Sequence, residues 1–385
     1  MESELKSIEE NGTWELVELP EGRKAITSKW LFKIKSDADG KIERYKSRLV
    51  AKGYQQKEKV DYKELFAPVV KPTTLRTLLA GAAIKAWVVK QMDVTTAFLN
   101  GVLEEEIFMA QPEGFDDGSG RVLRLKKALY GLNQAPRQWY LKLRGVLEEI
   151  GFTPSTADHS LFMLGEGEQR SFMVVYVDDI LIFSPSSDLV KEVMLKLQDK
   201  FKCKALGDVS FYLGLHIERD VEKWCMRVHQ RKYLEALAAT FGQKDMTSVG
   251  GFICCVGGGP TAWESKKQVD QALSSVESEY MALFRAVREI VWQRRLLAKL
   301  GEEQQGPTPL YCDSQGAIAL AKNPVLHGLT KDMRVKWHWT RSMVAAGEVE
   351  LHYVKTTGQP ADMMTKRMVE QQHCKCCKLA GMALN

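Results

Sequence analysis

The sequence predicts an α+β protein that carries a smaller α/β unit at its C-terminal end. Short strands and helices alternate over roughly the first 240 residues, without the strict βαβ rhythm of a parallel sheet. A long amphipathic helix begins near Ser275 and repeats apolar residues at helical spacing. A strand, two helices and a further strand then follow between Leu310 and Val354, which completes an α/β pattern.

The composition is that of an ordinary globular protein. The chain has 385 residues, of which 45% are hydrophobic and 27% are charged. These values exclude a wholly disordered chain, a collagen and a coiled coil. The longest apolar run, around residues 172–183, is interrupted by two aspartates and is too short for a membrane span. The formal net charge of +5 permits a polyanionic partner.

The N-terminus and the cysteines bear on the compartment. The opening residues are acidic and polar, unlike a signal or transit peptide. Eight cysteines without a regular framework suit free thiols in a reducing environment. We therefore expect an intracellular protein, cytoplasmic or nuclear, that is not secreted and has no membrane partner.

A basic segment between Glu21 and Lys59 holds twelve Lys and Arg residues against five acidic ones. Alternating polarity over 29–35 predicts a strand, 37–40 supplies a hairpin turn, and 41–54 returns as a second strand. A basic ribbon of this kind could grip phosphates. It could equally be a solvated hairpin with charged outer faces, and the charge alone does not decide between the two.

Other elements follow from periodicity and turn residues. The first unit is predicted to have helices at 75–89, 138–150 and 189–201 and strands at 88–94, 211–217 and 224–228, with two strands around a turn at 171–184. The second unit opens with a hairpin, 252–256 with 261–265, and a helix whose start is fixed by a capping box of Ser274 and Glu277. We place the boundary between Phe241 and Gly250, where the pattern changes abruptly.

Two adjacent aspartates, Asp178 and Asp179, interrupt an apolar, strand-forming run. Two like charges about 4 Å apart repel by roughly 1 kcal/mol in water and about 4 kcal/mol at an effective dielectric constant of 20. The pair therefore needs a solvated hairpin tip or a divalent cation. Asp93 ends another apolar strand, where a lone acid has little local reason to be. Three carboxylates from two strand systems would form an oxygen-only site suited to Mg²⁺, and two such ions can clamp an in-line phosphoryl displacement.

Ordered strings over residues 11–240 resemble a known family. They read NGTWELVELP, KWLFKIK, RYKSRLVAKGYQQ, DYKELFAPVVK, QMDVTTAFLNGVLEE, ALYGLNQAPRQWY and YVDDILIF. This segment resembles the reverse transcriptase in the Pol polyprotein of Ty1/copia-type LTR retrotransposons. The resemblance implies an α+β polymerase fingers–palm domain that joins dNTPs to a DNA primer on an RNA template and holds an RNA–DNA hybrid. It also implies Asp93, Asp178 and Asp179 as catalytic ligands of two Mg²⁺ ions, for which Mn²⁺ is a possible substitute.

Further site residues follow by position in the same strings. Phe98, five residues after Asp93, matches the residue that blocks a ribose 2′-OH, and a core aromatic is the alternative. Lys46 and Arg48 would contact the incoming triphosphate, unless they are strand-edge charges. One further match is the segment that lines the templating base and the nucleotide, with Tyr130, Gly131 and Gln134. Another is the primer grip, at residues 211–214.

Residues 250–367 resemble an incomplete α/β ribonuclease H-like domain of the same family. The strings are AWESKKQ, ALSSVESEYMALFRAVREI, LYCDSQGAIALAKNP and QPADMMTK. They imply Glu279, Asp313 and Asp362 as three of four metal-binding carboxylates, with a surface Glu as the alternative for Glu279. The string that carries the remaining ligand on the first strand is missing, and Asp245 is the nearest acidic residue. We therefore predict little or no ribonuclease H activity.

Two hypotheses of function stay open. The first is a reverse transcriptase that performs two-metal nucleotidyl transfer to a primer 3′-OH and carries an inactive ribonuclease H-like domain. The second is a catalytically inert, internally deleted transposon remnant that at most binds nucleic acid. The predicted units are fingers and palm at 11–243 with the thumb missing, the ribonuclease H-like domain at 250–367, and a tail at 368–385.

Overall fold

The computed structural model of the chain describes residues 1–36, 42–220, 222–223, 225–230, 249–267, 275–322, 331–366 and 368–382. Three sequence predictions fall outside these residues. They are the hairpin turn at 37–40, most of the 241–250 boundary together with Asp245, and the helix cap at Ser274.

The N-terminal unit holds four α-helices and fourteen strands among its described residues. The helices are α1 (Glu2–Glu10), α2 (Pro72–Ile84), α3 (Ala135–Ile150) and α4 (Ser187–Lys200). The strands are β1 (Trp14–Val17), β2 (Ser28–Ser36), β3 (Ile42–Ala51), β4 (Val88–Val94), β5 (Val102–Met109), β6 (Val122–Lys127), β7 (Thr153–Pro154), β8 (Leu161–Leu164), β9 (Ser171–Tyr176), β10 (Asp179–Ser184), β11 (Cys203–Asp208), β12 (Phe211–Tyr212), β13 (Leu215–Asp220) and β14 (Cys225–His229).

A six-stranded antiparallel sheet in the order β11-β4-β10-β9-β8-β7 forms the centre of this unit. Because side chains alternate between the two faces of a strand, the apolar runs of β4, β9 and β10 supply two cores. One core contains Leu78 of α2 with Phe172 and Phe183, and the other contains Trp139 of α3 with Met92 and Ile182. The inner strands β9 and β10 are therefore buried on both faces, which explains why they read as continuous hydrophobic sequence.

The basic ribbon is confirmed as an antiparallel hairpin, β2 with β3, in which Lys33 faces Lys46 and Leu31 faces Arg48. A separate three-stranded sheet, β1-β6-β5, shares a core with the base of this hairpin through Leu49 and Ala51. The outer part of β2 exposes its apolar side chains, Phe32 among them. The ribbon thus projects from the body of the unit and is anchored at one end.

Two predicted elements differ from the structure. The single strand predicted at 211–217 is wrong, because the chain turns through Leu213 (φ 48°) and Gly214 (φ 81°) between β12 and β13. Helix α2 begins at Pro72, three residues before its predicted start, since the fixed φ of proline suits the first turn of a helix. It ends at Ile84, before the predicted end, and Ala86 (φ 52°) turns the chain into β4.

The C-terminal unit contains four helices and four strands among its described residues. The strands are β15 (Val249–Val256), β16 (Gly259–Lys267), β17 (Thr308–Cys312) and β18 (Val349–Tyr353). The helices are α5 (Ser275–Lys299), α6 (Gln315–Lys322), α7 (Lys331–Ala345) and α8 (Glu370–Leu379). Strand β15 pairs antiparallel with β16, and β17 pairs parallel with β18, so the described strands form two separate two-stranded sheets. Both sheets contribute to one core that is built on α5.

Helix α5 also completes a core of the N-terminal unit. Leu296 and Leu300 are buried with the α2 side of the central sheet. Near them, the indole Nε1 of Trp292 donates a hydrogen bond of 3.2 Å to the carbonyl of Ala157. The guanidinium of Arg76 on α2 lies 3.8 Å from the ring centroid of Trp263 on β16. The two units therefore share an apolar core and a cation–π contact on the α2 side of the central sheet.

No helix in the described part of the chain is long and apolar enough to cross a membrane.

Replacing Leu296 by Ala should lower the free energy of unfolding by about 2–5 kcal/mol, because the side chain is fully buried in the shared core. Guanidinium unfolding measures this loss, and hydrogen exchange of residues 161–183 should become faster. The exposed Leu195 is the matched control, since Leu195→Ala should change stability by less than about 0.5 kcal/mol. Unchanged protection of 161–183 in the Leu296 variant would show that the two cores are independent.

Candidate active site

Antiparallel pairing of β4 with β10 sets two of the predicted carboxylates side by side. Asp93 is directly opposite Asp179 in the register, and Asp178 occupies the turn between β9 and β10. The backbone N–H of Val94 donates to the carbonyl of Asp178 at 2.9 Å, which fixes the turn against the end of β4. The structure thus brings together Asp93, Asp178 and Asp179, from two strand systems, as the sequence predicts.

The turn that carries the pair is held in an uncommon conformation. Val177 has a φ of 56°, a region that a β-branched residue adopts only when its surroundings impose it. The indole Nε1 of Trp139 donates a 2.7 Å hydrogen bond to the carbonyl of Val177. On the other side, the hydroxyl of Tyr212 donates to the carbonyl of Asp179 at 3.2 Å. Two buried aromatic side chains therefore clamp the backbone of the aspartate pair.

The three carboxylates repel one another in a partly buried site. Burial is the main cause that raises the pKa of Asp178, and the charge of Asp93 adds to it. Burial, followed by the charges of Asp178 and Asp93, raises the pKa of Asp179 to about 6, while a hydrogen bond from Gln91 opposes that rise. Positive groups and hydrogen-bond donors of the protein therefore do not fully compensate the negative charge of the aspartates.

Two cations from the basic ribbon reach the same site. Arg48 and Lys46 on β3 both act to lower the pKa of Asp178, although burial outweighs them. The guanidinium of Arg48 also lies 4.5 Å from the ring centroid of Tyr130. Glu4 of α1 interacts with the same two cations, because their charges oppose the burial that raises its pKa. The ribbon thus contributes positive charge near the ends of β4 and β10, where the aspartates lie.

Aromatic side chains form one wall of the site. Phe98 lies in a short 3₁₀ turn, Ala97–Asn100, and is half-buried against two cores. Its ring meets that of Tyr130 edge to face, with centroids 4.9 Å apart. The ring packs against the core, as one interpretation expects, and its contact with the sugar of a nucleotide stays a prediction.

Gly131 allows two backbones to approach closely. A Cβ at this position would lie 2.1 Å from the carbonyl oxygen of Ala51 at the end of β3, and φ is 92°. The N–H of Ala51 donates to the carbonyl of Tyr130 at 2.7 Å. The backbone that approaches Gly131 in the structure is therefore that of the ribbon.

Gln134 lies in the scaffold beneath this wall. Its side chain is fully buried, and its Nε2 donates to the carbonyl of Asp61 at 2.7 Å while its Oε1 accepts from Gln56 at 3.0 Å. The Oε1 of Gln56 in turn accepts from the N–H of Asn133 at 2.9 Å. Contact between Gln134 and a nucleotide remains a prediction, since its amide groups bind the protein itself.

The sequence did not identify several residues that shape the site. Gln91, Trp139 and Tyr212 act on the aspartates through hydrogen bonds to a side chain or to backbone carbonyls. Tyr212 belongs to the predicted primer-grip segment, but nothing in the sequence indicated its bond to Asp179. The signal available was the polarity of Gln91, which stands two residues before Asp93 in the same strand and is therefore on the same face.

A second carboxylate cluster lies in the C-terminal unit. Burial raises the pKa of Glu279 on α5, and the charges of Asp313 and Asp362 add to that rise. Asp313 follows the last residue of β17, and its Oδ2 accepts from the hydroxyl of Thr356 at 2.9 Å. Asp362 pairs with Lys366 at 3.1 Å. The three residues predicted from the sequence are therefore neighbours in space.

Neither carboxylate cluster forms a complete metal-binding site among the described residues. Within the described ranges, no three or more His, Cys, Asp or Glu side chains stand together in a way that could hold a metal ion. The donor chemistry of Asp93, Asp178 and Asp179 nevertheless suits a hard divalent cation, because all of it is carboxylate oxygen. A cation would also relieve the repulsion that raises the pKa of Asp179.

Comparison with known proteins defines the class. A family model described as reverse transcriptase (RNA-dependent DNA polymerase) matches residues 11–252. The chain is 31% identical, over 500 aligned positions, to the Retrovirus-related Pol polyprotein from transposon TNT 1-94 of Nicotiana tabacum. This alignment covers 100% of this chain and 38% of that protein. It is 32% identical to the corresponding polyprotein from transposon RE2 of Arabidopsis thaliana, over 95% of this chain and 32% of that protein.

The chain belongs to the reverse transcriptase family. More particularly, it corresponds to a part of the Pol polyprotein of Ty1/copia-type retrotransposons. It spans about a third of the length of the curated relatives it matches. The 500 positions aligned with the tobacco protein exceed the 385 residues of this chain by 115, so that relative contains at least 115 residues with no counterpart here.

Among solved structures, a foamy viral protease-reverse transcriptase in complex with RNA/DNA hybrid matches with a TM-score of 0.43 and 11% identity. The match covers 91% of this chain and 52% of that one. A likeness this weak says nothing about the function of this chain.

Replacing Asp179 by Asn should stabilise the protein at pH 7. Because the pKa of Asp179 is raised to about 6, the folded state binds more protons than the unfolded state between about pH 4 and 6, and stability falls as the pH rises through that range. We expect a gain of about 1 kcal/mol at pH 7, after allowance for partial exposure, and no gain below about pH 4. Chemical denaturation at pH 7 and below about pH 4 measures this change in the free energy of unfolding.

Asp188, an exposed residue in the first turn of α4, provides the control for this variant. Asp188→Asn should change stability by less than about 0.5 kcal/mol at either pH. A loss of stability in the Asp179 variant at pH 7 would show that the ionised carboxylate is compensated in the fold.

Proposed function

We propose that the chain is an RNA-directed DNA polymerase, which transfers nucleotides from dNTPs to the 3′-OH of a DNA primer on an RNA template. The observation that carries the proposal is the register that sets Asp93 opposite Asp179, beside the turn that holds Asp178. Membership of the reverse transcriptase family supports it.

Asp93, Asp178 and Asp179 are the proposed ligands of two Mg²⁺ ions, for which Mn²⁺ could substitute. Bound there, the ions would stabilise the charge that develops on the attacking and leaving oxygens of an in-line displacement. The protein contributes a rigid backbone, because Trp139 and Tyr212 hold the carbonyls on either side of Asp178.

Lys46 and Arg48 are proposed to bind the triphosphate of the incoming dNTP. Both lower the pKa of Asp178, so their positive charge acts at the aspartate site, where it could bind a phosphate chain. The stacking of Arg48 on Tyr130 limits the freedom of its guanidinium before a nucleotide arrives. Preorganised cations of this kind stabilise the negative charge that leaves with pyrophosphate.

Phe98 and Tyr130 are proposed to border the sugar of the nucleotide. Their edge-to-face contact holds the ring of Phe98 in place, and this ring has no hydrogen-bond partner to offer a ribose 2′-OH. A 2′-OH pressed against such a ring loses its hydration without replacement. The site would therefore favour dNTPs over ribonucleotides.

The segment after the aspartates is proposed to hold the primer end of an RNA–DNA hybrid. Phe211 is exposed in β12, just before the turn into β13, while the neighbouring Tyr212 is buried and bonded to Asp179. This arrangement ties the exposed Phe211 to the site. Without a thumb, phosphate contacts from the basic ribbon would supply much of the affinity, so binding should weaken steeply with salt.

The double variant Asp178→Asn with Asp179→Asn should abolish Mg²⁺-dependent primer extension, because it removes two of the three carboxylates that face the ions. Incorporation of labelled dTTP on a primed homopolymer template, with and without Mg²⁺ or Mn²⁺, measures the activity. Asp188→Asn is the matched control and should extend the primer like the unmodified chain. Extension that survives in the double variant would remove these residues from the proposed site.

An inert remnant that at most binds nucleic acid is the second candidate, and one observation favours it. The chain lacks at least 115 residues that the tobacco relative contains within the aligned region. Loss of a thumb would remove the element that grips the duplex. In that case the unmodified chain would bind a labelled hybrid but fail to extend a primer at any Mg²⁺ concentration.

We further propose that the described part of residues 250–367 is an incomplete ribonuclease H-like domain, which follows fingers and palm at 11–243 and precedes a tail at 368–385. The cluster of Glu279, Asp313 and Asp362 supports this assignment. The pairing of its described strands in two separate sheets supports the loss of a strand between them.

The purified chain should not cleave the RNA strand of a labelled RNA–DNA hybrid, because one of the four carboxylates is missing. Gel analysis of the labelled RNA over a range of Mg²⁺ concentrations checks this. Glu279→Gln provides a baseline for contaminating nuclease. Cleavage that is abolished by this substitution would show that three carboxylates suffice.

A further inference from the structure

A cleft of about 870 Å³ separates the two sheets of the C-terminal unit. One side of the cleft is formed by 253–257 of β15 and the turn after it, and the other by 308–311 of β17. Among the described strands, β15 pairs with β16 alone and β17 with β18 alone. Each of these two strands therefore presents one edge that no described strand covers.

Much of the lining of the cleft is apolar. Ile290 and Leu297 of α5 and Ile84 and Trp87 of the N-terminal unit contribute to it, and an ion pair of Lys85 with Glu302 also borders the cleft. A strand placed here would pack against apolar side chains, like the inner strands of a parallel sheet, whose sequences are continuous apolar runs. The shape and polarity of the cleft thus fit an extended apolar segment.

The open edge of β17 offers backbone hydrogen bonds toward the cleft. On the paired edge, the N–H of Thr308 donates to the carbonyl of Glu348 at 3.0 Å and the carbonyl of Cys312 accepts from Val354 at 3.1 Å. Because residues alternate along a parallel ladder, Tyr311 directs its N–H and its carbonyl the other way, whereas Pro309, which has no N–H, directs only its carbonyl there. The carbonyl of Tyr311 there accepts from the Nε2 of Gln359 at 3.1 Å, so a side chain takes the place of a strand partner.

We propose that this cleft binds an extended segment of another polypeptide as a β-strand between β15 and β17, which joins the two sheets into one of five strands. Five residues of β15 and its turn line the cleft, so a strand of about five residues, roughly 17 Å long, would span it. Main-chain hydrogen bonds supply the affinity in this mode of recognition, and the apolar walls select the side chains.

The occupant is a strand of a longer chain of the same family, supplied in trans. The tobacco relative contains at least 115 residues in the aligned region that this chain lacks, so a longer protein of the family contains additional chain that could supply such a strand. The proposal does not depend on polymerase activity, because none of the residues that line the cleft belongs to the aspartate site.

Fluorescence anisotropy with the full chain tests the proposal with a labelled peptide, Lys-Lys-Val-Ile-Val-Ile-Val-Lys-Lys. The control peptide has the same sequence with N-methyl groups on alternate central amides, which block strand hydrogen bonds but keep charge and hydrophobicity. We expect the unmodified peptide to bind at least tenfold more tightly. Equal binding of the two peptides, or no binding, would overturn the proposal.

Two substitutions locate the binding site. Tyr311→Pro removes an N–H that points into the cleft and leaves the β17–β18 hydrogen bonds in place, so it should weaken peptide binding about fivefold or more. Gln359→Ala frees the carbonyl of Tyr311 and should strengthen binding several-fold, and its surface position makes it the safer variant for folding. Tyr353→Phe on β18 is the control and should bind like the unmodified chain.

Sedimentation of the chain alone distinguishes the occupants. A monomer that binds the peptide supports a strand from a longer chain. A dimer that the peptide dissociates would assign the cleft to a second copy of this protein and would overturn the proposed occupant.

Discussion

The pairing of β4 with β10 is the interaction on which the candidate active site depends. It places Asp93 opposite Asp179 and leaves Asp178 in the turn, where the backbone of Val94 fixes it. Because side chains alternate along a strand, a slip of one residue in this register would turn Asp93 to the other face of the sheet. The apolar residues on both faces of these strands prevent such a slip, so the two cores specify the position of the carboxylates.

The same site shows how a fold maintains charges that do not stabilise it. Burial and mutual repulsion raise the pKa of Asp178 and Asp179, and the cations on β3 compensate only in part. The hydrogen bonds from Trp139 and Tyr212 bind backbone carbonyls, so they hold the turn in place whatever the charge of the side chains. The backbone hydrogen bonds thus fix the position of the aspartates, whereas burial and the cations on β3 act on their charge.

Much of the site could be predicted from the sequence, because motifs such as YVDDILIF carry both a strand pattern and the carboxylates. The hairpin of β9 and β10, the basic ribbon and the long helix α5 are confirmed. The strand at 211–217 was wrong because a turn through a non-glycine residue, Leu213, leaves little trace in hydrophobic periodicity. The partners of Gln134 could not be predicted, since they come from residues more than seventy positions away.

The helix α5 belongs to two hydrophobic cores, with Val287 in that of the C-terminal unit and Leu296 in that of the N-terminal unit. An expression fragment that stopped at the end of the family match, near residue 252, would therefore leave part of the α2 side of the central sheet uncovered. Such a fragment would present an apolar patch to water and would tend to aggregate. A workable truncation for crystallisation or assay must retain α5, even if the rest of the C-terminal unit is of no interest.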